Sequence, residues 1–283
     1  MSVQLIALLT NIGLAALKFT VGTVAGSRAL IADAFNSAGD IVATLVAWAA
    51  FRYGLKPPDD DHHYGHQNAE AMAGLLLGAM LCLTGTFICI YGVLGILDQE
   101  LPDPPEALAL WAALATTVIK LILYRVSITV GRRTHSPTLL ASARDHMADV
   151  VSGLVALVGI YVARNGFPEF DAIAGIVIGI YIFYLSFEPL RNNTGILMQA
   201  APLELVEEVR SMAVKIDGVR DVHQVRAQPL GGRYRIDMSI AVDGSLAVDS
   251  AHTIAHEVED YIREEIDSII EVHVHVEPAK STD

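Results

Sequence analysis

The chain has little sulfur to work with. Its two cysteines, Cys82 and Cys89, sit seven residues apart in one apolar run without a CxxC pairing. That excludes a disulfide framework and a thiolate metal centre, and the pair reads as buried apolar thiols. Basic residues are scarce as well: 19 Lys and Arg stand against 32 Asp and Glu, for a net charge of −13. A phosphate-binding surface is expected to be basic, so this balance argues against nucleic acid as a partner. Met1 to Gln4 holds no base and no clean small-residue cleavage site follows, so the first apolar run does not read as a secretory signal. It carries Asn11 and Lys18, which suit a helix packed inside a bundle. Beyond Pro202, long apolar runs are missing altogether.

What is present is apolar sequence in long blocks. Hydrophobic residues make up 53% of the chain, and up to about Leu197 they gather into runs of about 18–25 residues, enough to cross about 30 Å of hydrocarbon. The pattern predicts an α-helical membrane protein with six transmembrane helices, near 4–25, 29–53, 70–97, 106–130, 138–163 and 171–190. It places a membrane domain over 1–198 and a soluble α+β domain over 199–283. Arg52, Lys56, Arg125, Arg132, Arg133 and Arg191 fall towards one side; the other receives Arg28 and Arg164, and the loop DQELPDPPE has no base. The side rich in Lys and Arg is the cytoplasmic one, so the even-numbered loops and both termini are expected there. In the tail, helices are predicted over Leu203–Ile216 and Asp249–Ile266. Strands are predicted at DVHQVRAQ, RYRIDMSIAV and EVHVHVE, the first two joined by a turn at Pro229–Gly232. The last strand puts Val272, Val274 and Val276 on one face and Glu271, His273, His275 and Glu277 on the other.

Ionisable side chains inside the apolar runs carry the chemistry. Asn36 and Asp40 lie four residues apart in the second run, and Asp145 and Asp149 four apart in the fifth. On a helix, i and i+4 share a face, so one small cation can touch both members of a pair. A charged carboxylate at the centre of a membrane helix costs about 2.5–3.5 kcal/mol on insertion scales, so three of them need a compensating role. Two facing pairs would give a four-ligand site. All four side chains offer oxygen, a hard set suited to manganese, magnesium or ferrous iron, whereas zinc is more often held by nitrogen and sulfur. His146 is turned about 100° from Asp145 on the helix, towards a neighbouring helix or the cytoplasmic edge. Asp33 is open to a packing or polar-cavity role. In the loop DDDHHYGH, a short turn could gather Asp59, His62 and His66; a solvated acidic loop is the plainer alternative. In the tail, His252 and His256 lie one helical turn apart, and His275 and Glu277 share a strand face, a possible regulatory metal site. An intramembrane aspartyl protease also uses aspartates on two helices, but its motifs are absent here and an i,i+4 pair makes little sense for a dyad.

The segments GSRALIADAFNSAGD, PPDDDHHYGHQNAEA, ASARDHMADVVSG, AHTIAHEVE and EVHVHVEP occur in this order over nearly the whole chain. Together they resemble the cation diffusion facilitator family of metal–proton antiporters. The resemblance implies a non-enzyme: a homodimer of multi-pass subunits in a prokaryotic plasma membrane, with a cytoplasmic ferredoxin-like domain. It implies export of divalent cations from the cytoplasm in exchange for protons. Carried over, the transport site is Asn36, Asp40, Asp145 and Asp149, similar to the Asn-Asp-Asp-Asp pattern of the manganese-exporting branch, with iron, zinc, cobalt or cadmium as alternative cargo. A loop site falls on Asp59, His62 and His66. The tail site falls on His252, His275 and Glu277, the last replacing an Asp. Arg220 and Ser239 stand where zinc-transporting members have histidines, which favours one metal there over two, and Asn68 replaces a lysine often found after the loop site. A zinc or iron exporter with relaxed selectivity and a non-transporting sensor or scaffold are the competing expectations.

Overall fold

The computed structural model describes residues 3–97, 104–134, 137–230 and 232–279. Most of the loop DQELPDPPE, and Gly231 of the expected turn, lie outside them. In lipid every backbone N–H and C=O must be satisfied within the element that carries it, so apolar runs of this length become helices. They do: α1 covers Val3–Val24, α2 Arg28–Gly54, α3 Ala69–Leu97, α4 Ala107–Thr134, α5 Pro137–Arg164 and α6 Glu169–Leu185. Five stretches, from α2 through the end of the sixth, have the length and apolarity to cross a membrane, and Leu8–Val24 of α1 is a shorter apolar helix. The sixth apolar stretch breaks at Ser186, where α7 (Phe187–Leu197) begins. Pro189 explains the break: it has no N–H to offer the Leu185 carbonyl four residues earlier.

The chain divides into two compact units, residues 1–48 with 76–190 and residues 49–75 with 191–283. Within the first, α3 meets α6 and the start of α7 along a glycine stripe. Gly78, Gly85 and Gly92 recur every seven residues on one face of α3. A Cβ at Gly85 would stand 2.6 Å from Phe183 N and 2.7 Å from Gly179 O; at Gly92 it would meet Ile176 Cγ1 at 2.5 Å, and at Gly78 Leu190 Cγ at 2.8 Å. Leu190, Phe183 and Ile176 are themselves seven apart, so the two stripes run antiparallel. Small residues that admit a neighbouring backbone are how membrane helices gain packing energy without a hydrophobic drive.

The start of α2 is fixed from two sides. Ser27 Oγ accepts a hydrogen bond from Leu30 N (3.1 Å), the usual role of an N-cap serine. From α6, Asp171 Oδ2 accepts hydrogen bonds from Arg28 N (2.5 Å) and Ala29 N (3.4 Å), and Ser27 Oγ donates to Asp171 Oδ1 (2.7 Å). A carboxylate at a helix N-terminus satisfies orphan donors and complements the helix dipole.

The second unit contains α8 (Leu203–Ala213), β1 (Asp221–Leu230), β2 (Arg233–Val242), α9 (Val248–Glu265) and β3 (Ile269–Pro278). The sheet order is β1-β2-β3, with β1 and β2 antiparallel and β2 and β3 parallel, so α9 is the crossover. Val209, Ile236, Ile240, Val258 and Ile262 are wholly buried between the helices and one sheet face, while His273 and His275 stand on the exposed face. Two left-handed residues shape β1 and its turn: Gly232 (φ 87°), after the strand, and Gln224 (φ 54°) at a bulge between His223 and Arg226.

The stripe sets a test. A Cβ at Gly179 meets Cys89 Sγ at 2.8 Å and backbone atoms Cys89 N and Gly85 O at 3.0 Å, so Gly179→Ala must push α3 from α6. A loss of about 1–3 kcal/mol is expected, read as a lower unfolding temperature in detergent. Gly13→Ala, with nothing within 4 Å of the added Cβ, serves as the control and should not lower it.

Candidate cation transport site

Asn36 and Asp40 on α2 and Asp145 and Asp149 on α5 line a single cavity of about 900 Å³ in the first unit, with Tyr124, Arg132, Arg144 and Tyr181 also on its wall. Asn36 and Asp149 are buried, Asp40 is half-buried and Asp145 is exposed at the cavity, so the set runs from the surface towards the core. Asn36 Nδ2 donates to Asp149 Oδ1 at 2.9 Å. This turns the Asn36 carbonyl oxygen outward as its available ligand atom. Asp40, from α2, and Asp149, from α5, present their side chains to the same cavity. His146 is buried against its neighbours with neither ring nitrogen hydrogen-bonded, and it is not among the residues that line the cavity.

Two lysines complete the electrostatics, and sequence reasoning missed their role. Lys120 on α4 is wholly buried and forms an ion pair with Asp149 through Oδ2. Lys18 on α1 pairs with Asp33 Oδ2 at 2.6 Å and donates to Ser37 Oγ at 3.0 Å. Ser152 Oγ on α5 donates to Asp33 Oδ1 at 2.8 Å. Asp33 is thus a packing residue that ties α1, α2 and α5 together through a compensated charge. The available signal was a lysine in each of two apolar runs, those of α1 and α4, that hold no acid of their own: an intramembrane ammonium is expected to face a partner.

In the second unit, Asp59, His62 and His66 offer ligand atoms within 4.8 Å of one another. Asp59 Oδ1 accepts from His62 N (2.7 Å) and lies 3.0 Å from His62 Nδ1, while Asp59 Oδ2 lies 3.3 Å from His66 Nε2. The backbone N–H of His62, then its side chain, hold the Asp59 carboxyl below the usual carboxylate range, so it stays ionised well into mild acid. His66 Nδ1 is buried without a hydrogen-bond partner. Two imidazoles and a carboxylate within this reach are the donor set of a borderline divalent cation, and the residues fit one.

The tail residues separate into two groups. On the open sheet face, Glu277 Oε1 lies 3.7 Å from His275 Nε2, and Glu277 Oε2 lies 3.5 Å from His223 Nε2. Asp221 Oδ2 lies 3.2 Å from the other ring nitrogen of His223. Register explains the meeting: His223, Ser239 and His275 form one row across the sheet. The bulge after His223 is the kind of irregularity that re-aims a side chain. His223 was not foreseen; Arg220, which the resemblance set at a histidine position, precedes β1. His252 instead faces His256 on α9, Nε2 to Nε2 at 3.0 Å, with His256 Nδ1 3.0 Å from Glu259 Oε2. It shares a groove with Glu277 but no hydrogen bond to it is present among the described residues.

Two family patterns match the chain: the cation efflux transmembrane domain over residues 4–198 and the cytoplasmic domain of cation efflux proteins over 201–279. Among relatives, the manganese efflux system protein MneP of Bacillus subtilis (strain 168) is 34% identical over 98% of this chain and 95% of its own length. The manganese efflux system protein MneS of the same organism is 28% identical over 97% and 94%. Among solved structures, a cadmium form of a variant MamM CTD is 28% identical over 28% of this chain and 98% of its own, with a TM-score of 0.27.

The inner ion pair gives a direct test. Lys18→Met leaves Asp33 buried and uncompensated, and breaking such a pair costs about 3–5 kcal/mol. The double variant Lys18→Met with Asp33→Asn removes both charges and should recover most of that loss. Unfolding in detergent measures both; equal stability of the single and double variants would show that the pair carries no compensation.

Proposed function

This chain belongs to the cation diffusion facilitator family of cation efflux transporters, and we propose that it exports manganese from the cytoplasm in exchange for protons through Asn36, Asp40, Asp145 and Asp149. The observation that carries this reading is that these four side chains, two from each of two helices, line one cavity with oxygen ligands alone. A hard, weakly discriminating oxygen set suits manganese, and imidazole or thiolate would be expected in a site tuned to zinc. Two relatives named as manganese efflux proteins point the same way. The bias of Lys and Arg towards one side favours a cytoplasmic tail, and the matched cytoplasmic domain favours a homodimer.

In this mechanism a cation enters the cavity past Asp145, the exposed member of the set, and settles between Asn36 Oδ1 and the carboxylates of Asp40 and Asp149. Every ionisable ligand in the set is a carboxylate, so the exchanged protons sit on Asp40, Asp145 or Asp149. Their apparent titration belongs to the cluster rather than to any one member. Release of the cation to the far side leaves carboxylates that take up protons, and the return of the empty transporter carries those protons inward.

The test is uptake of manganese, ferrous iron, cobalt and zinc into proteoliposomes under identical pH gradients. Manganese uptake should exceed that of zinc, depend on the gradient and move protons in the opposite direction. Asp149→Ala and Asp40→Ala should each abolish it in folded protein. Near wild-type transport in either variant would remove the site, and equal uptake of zinc would remove the manganese preference.

We infer further that Asp59, His62 and His66 hold a resident divalent cation. The loop that carries them is joined to β2, where the Arg235 guanidinium lies 5.1 Å from the Tyr64 ring. Asp59→Ala should lower zinc bound per chain by one equivalent in equilibrium dialysis; unchanged stoichiometry would count against the site.

A further inference from the structure

Each carboxylate oxygen of Asp149 has a partner within the protein. Asn36 Nδ2 donates to its Oδ1 at 2.9 Å, and the Lys120 ammonium holds its Oδ2. Lys120 comes from α4, which contributes no member of the proposed ligand set, and its side chain is 1% exposed. An ammonium so placed cannot be a solvent-screened surface charge. It sits where a cation bound to Asp149 would sit or immediately beside that position.

We propose that Lys120 is a tethered counter-cation of the transport site, one that holds Asp149 between cargo ions, yields the oxygen to an arriving divalent cation and reclaims it on release. The proposal rests on the reading of Asn36, Asp40, Asp145 and Asp149 as the cargo site. Three arguments support it. A divalent ion gains about twice the Coulomb attraction that a monovalent ion gains at the same distance. Sodium or potassium therefore has no advantage over an ammonium already in contact, and the lysine turns a carboxylate site into one that answers to double charge. Charge also closes within the ligand set: its three carboxylates, the Lys120 ammonium and one divalent cation come to zero, with Arg132, Arg144 and Glu188 as the other charged groups on the cavity wall, in a region where an uncompensated charge is costly. Finally, a tethered ligand competes at a high effective concentration, millimolar for a flexible link and more for a side chain held by packing. Permanent competition of this kind weakens cargo binding and keeps release within reach.

The experiment uses the full-length chain in detergent. Asp59→Ala, His62→Ala, His66→Ala, His223→Ala, His252→Ala and His275→Ala are present throughout, so that only the cavity binds Mn²⁺. In that background, Lys120→Met keeps the apolar stem and removes the charge, while Lys120→Arg keeps the charge. Titration with Mn²⁺ should show Lys120→Met binding at least about tenfold tighter, with no tightening in Lys120→Arg. The same Lys120→Met change made in the otherwise native chain should slow turnover in proteoliposomes. A merely structural lysine would leave affinity unchanged or weaken it, and either result in folded Lys120→Met overturns the proposal. Failure of Lys120→Met to fold even when produced and purified in saturating Mn²⁺ overturns it too, because the cargo should then replace the missing charge. Asp40→Ala separates the two readings: if it binds Mn²⁺ like its parent, the cargo site itself is wrong, whereas lost binding there with no tightening in Lys120→Met removes only the tethered lysine.

Discussion

Charge placed in a low-dielectric interior has to be balanced where it stands, and the helix bundle is arranged around that requirement. Lys18 answers Asp33 and Lys120 answers Asp149, each pair giving two helices a directional contact. Apolar side chains pack against lipid tails about as well as against each other, so they do little to specify which helix lies beside which. Hydrogen-bonded ion pairs and close glycine contacts do specify it. The pair between α4 and α5 and the network among α1, α2 and α5 hold α2 and α5 in fixed register, so that two i,i+4 pairs face a common cavity.

The stripe of Gly78, Gly85 and Gly92 supplies the complementary constraint on the side of α3 and α6. Here specificity comes from shape: the place of a Cβ is taken by backbone atoms at Gly85 and by the side chains of Ile176 and Leu190 at Gly92 and Gly78. The sheet of the second unit uses a third kind of constraint. Its helices bury one face by ordinary hydrophobic packing, which leaves the opposite face free to present His223, His275 and Glu277 without a stability penalty.

Much of this architecture was readable in the amino-acid order because lipid permits so few alternatives: an apolar run of sufficient length must become a helix, and the order α-β-β-α-β in the tail follows from its alternation. Pro189 was equally visible, yet the break it imposes at Ser186 was read through, since hydropathy carries no information about missing donors. The two Asp pairs were found from spacing, a local property. Lys120, by contrast, acquires its partner across a helical hairpin, and no local period announces it. His223 depends on strand register and on a bulge at Gln224, a non-glycine residue with a left-handed backbone; neither can be deduced from alternation. His252 was assigned to the sheet residues by analogy and stands against His256 instead.

The way Asp171 grips the first turn of α2 makes that helix a lever. Its grip lies at Arg28 and Ala29, and at a rise of 1.5 Å per residue Asn36 is about 12 Å and Asp40 about 18 Å along the arm. Tilting α2 by about ten degrees about the gripped end would sweep Asn36 by about 2 Å and Asp40 by about 3 Å. Displacements of that size are comparable to a metal–carboxylate bond of about 2.0–2.2 Å. A small rotation at one capped end is therefore enough to open or close a coordination shell partway down the same helix, with no change in helical structure along the way.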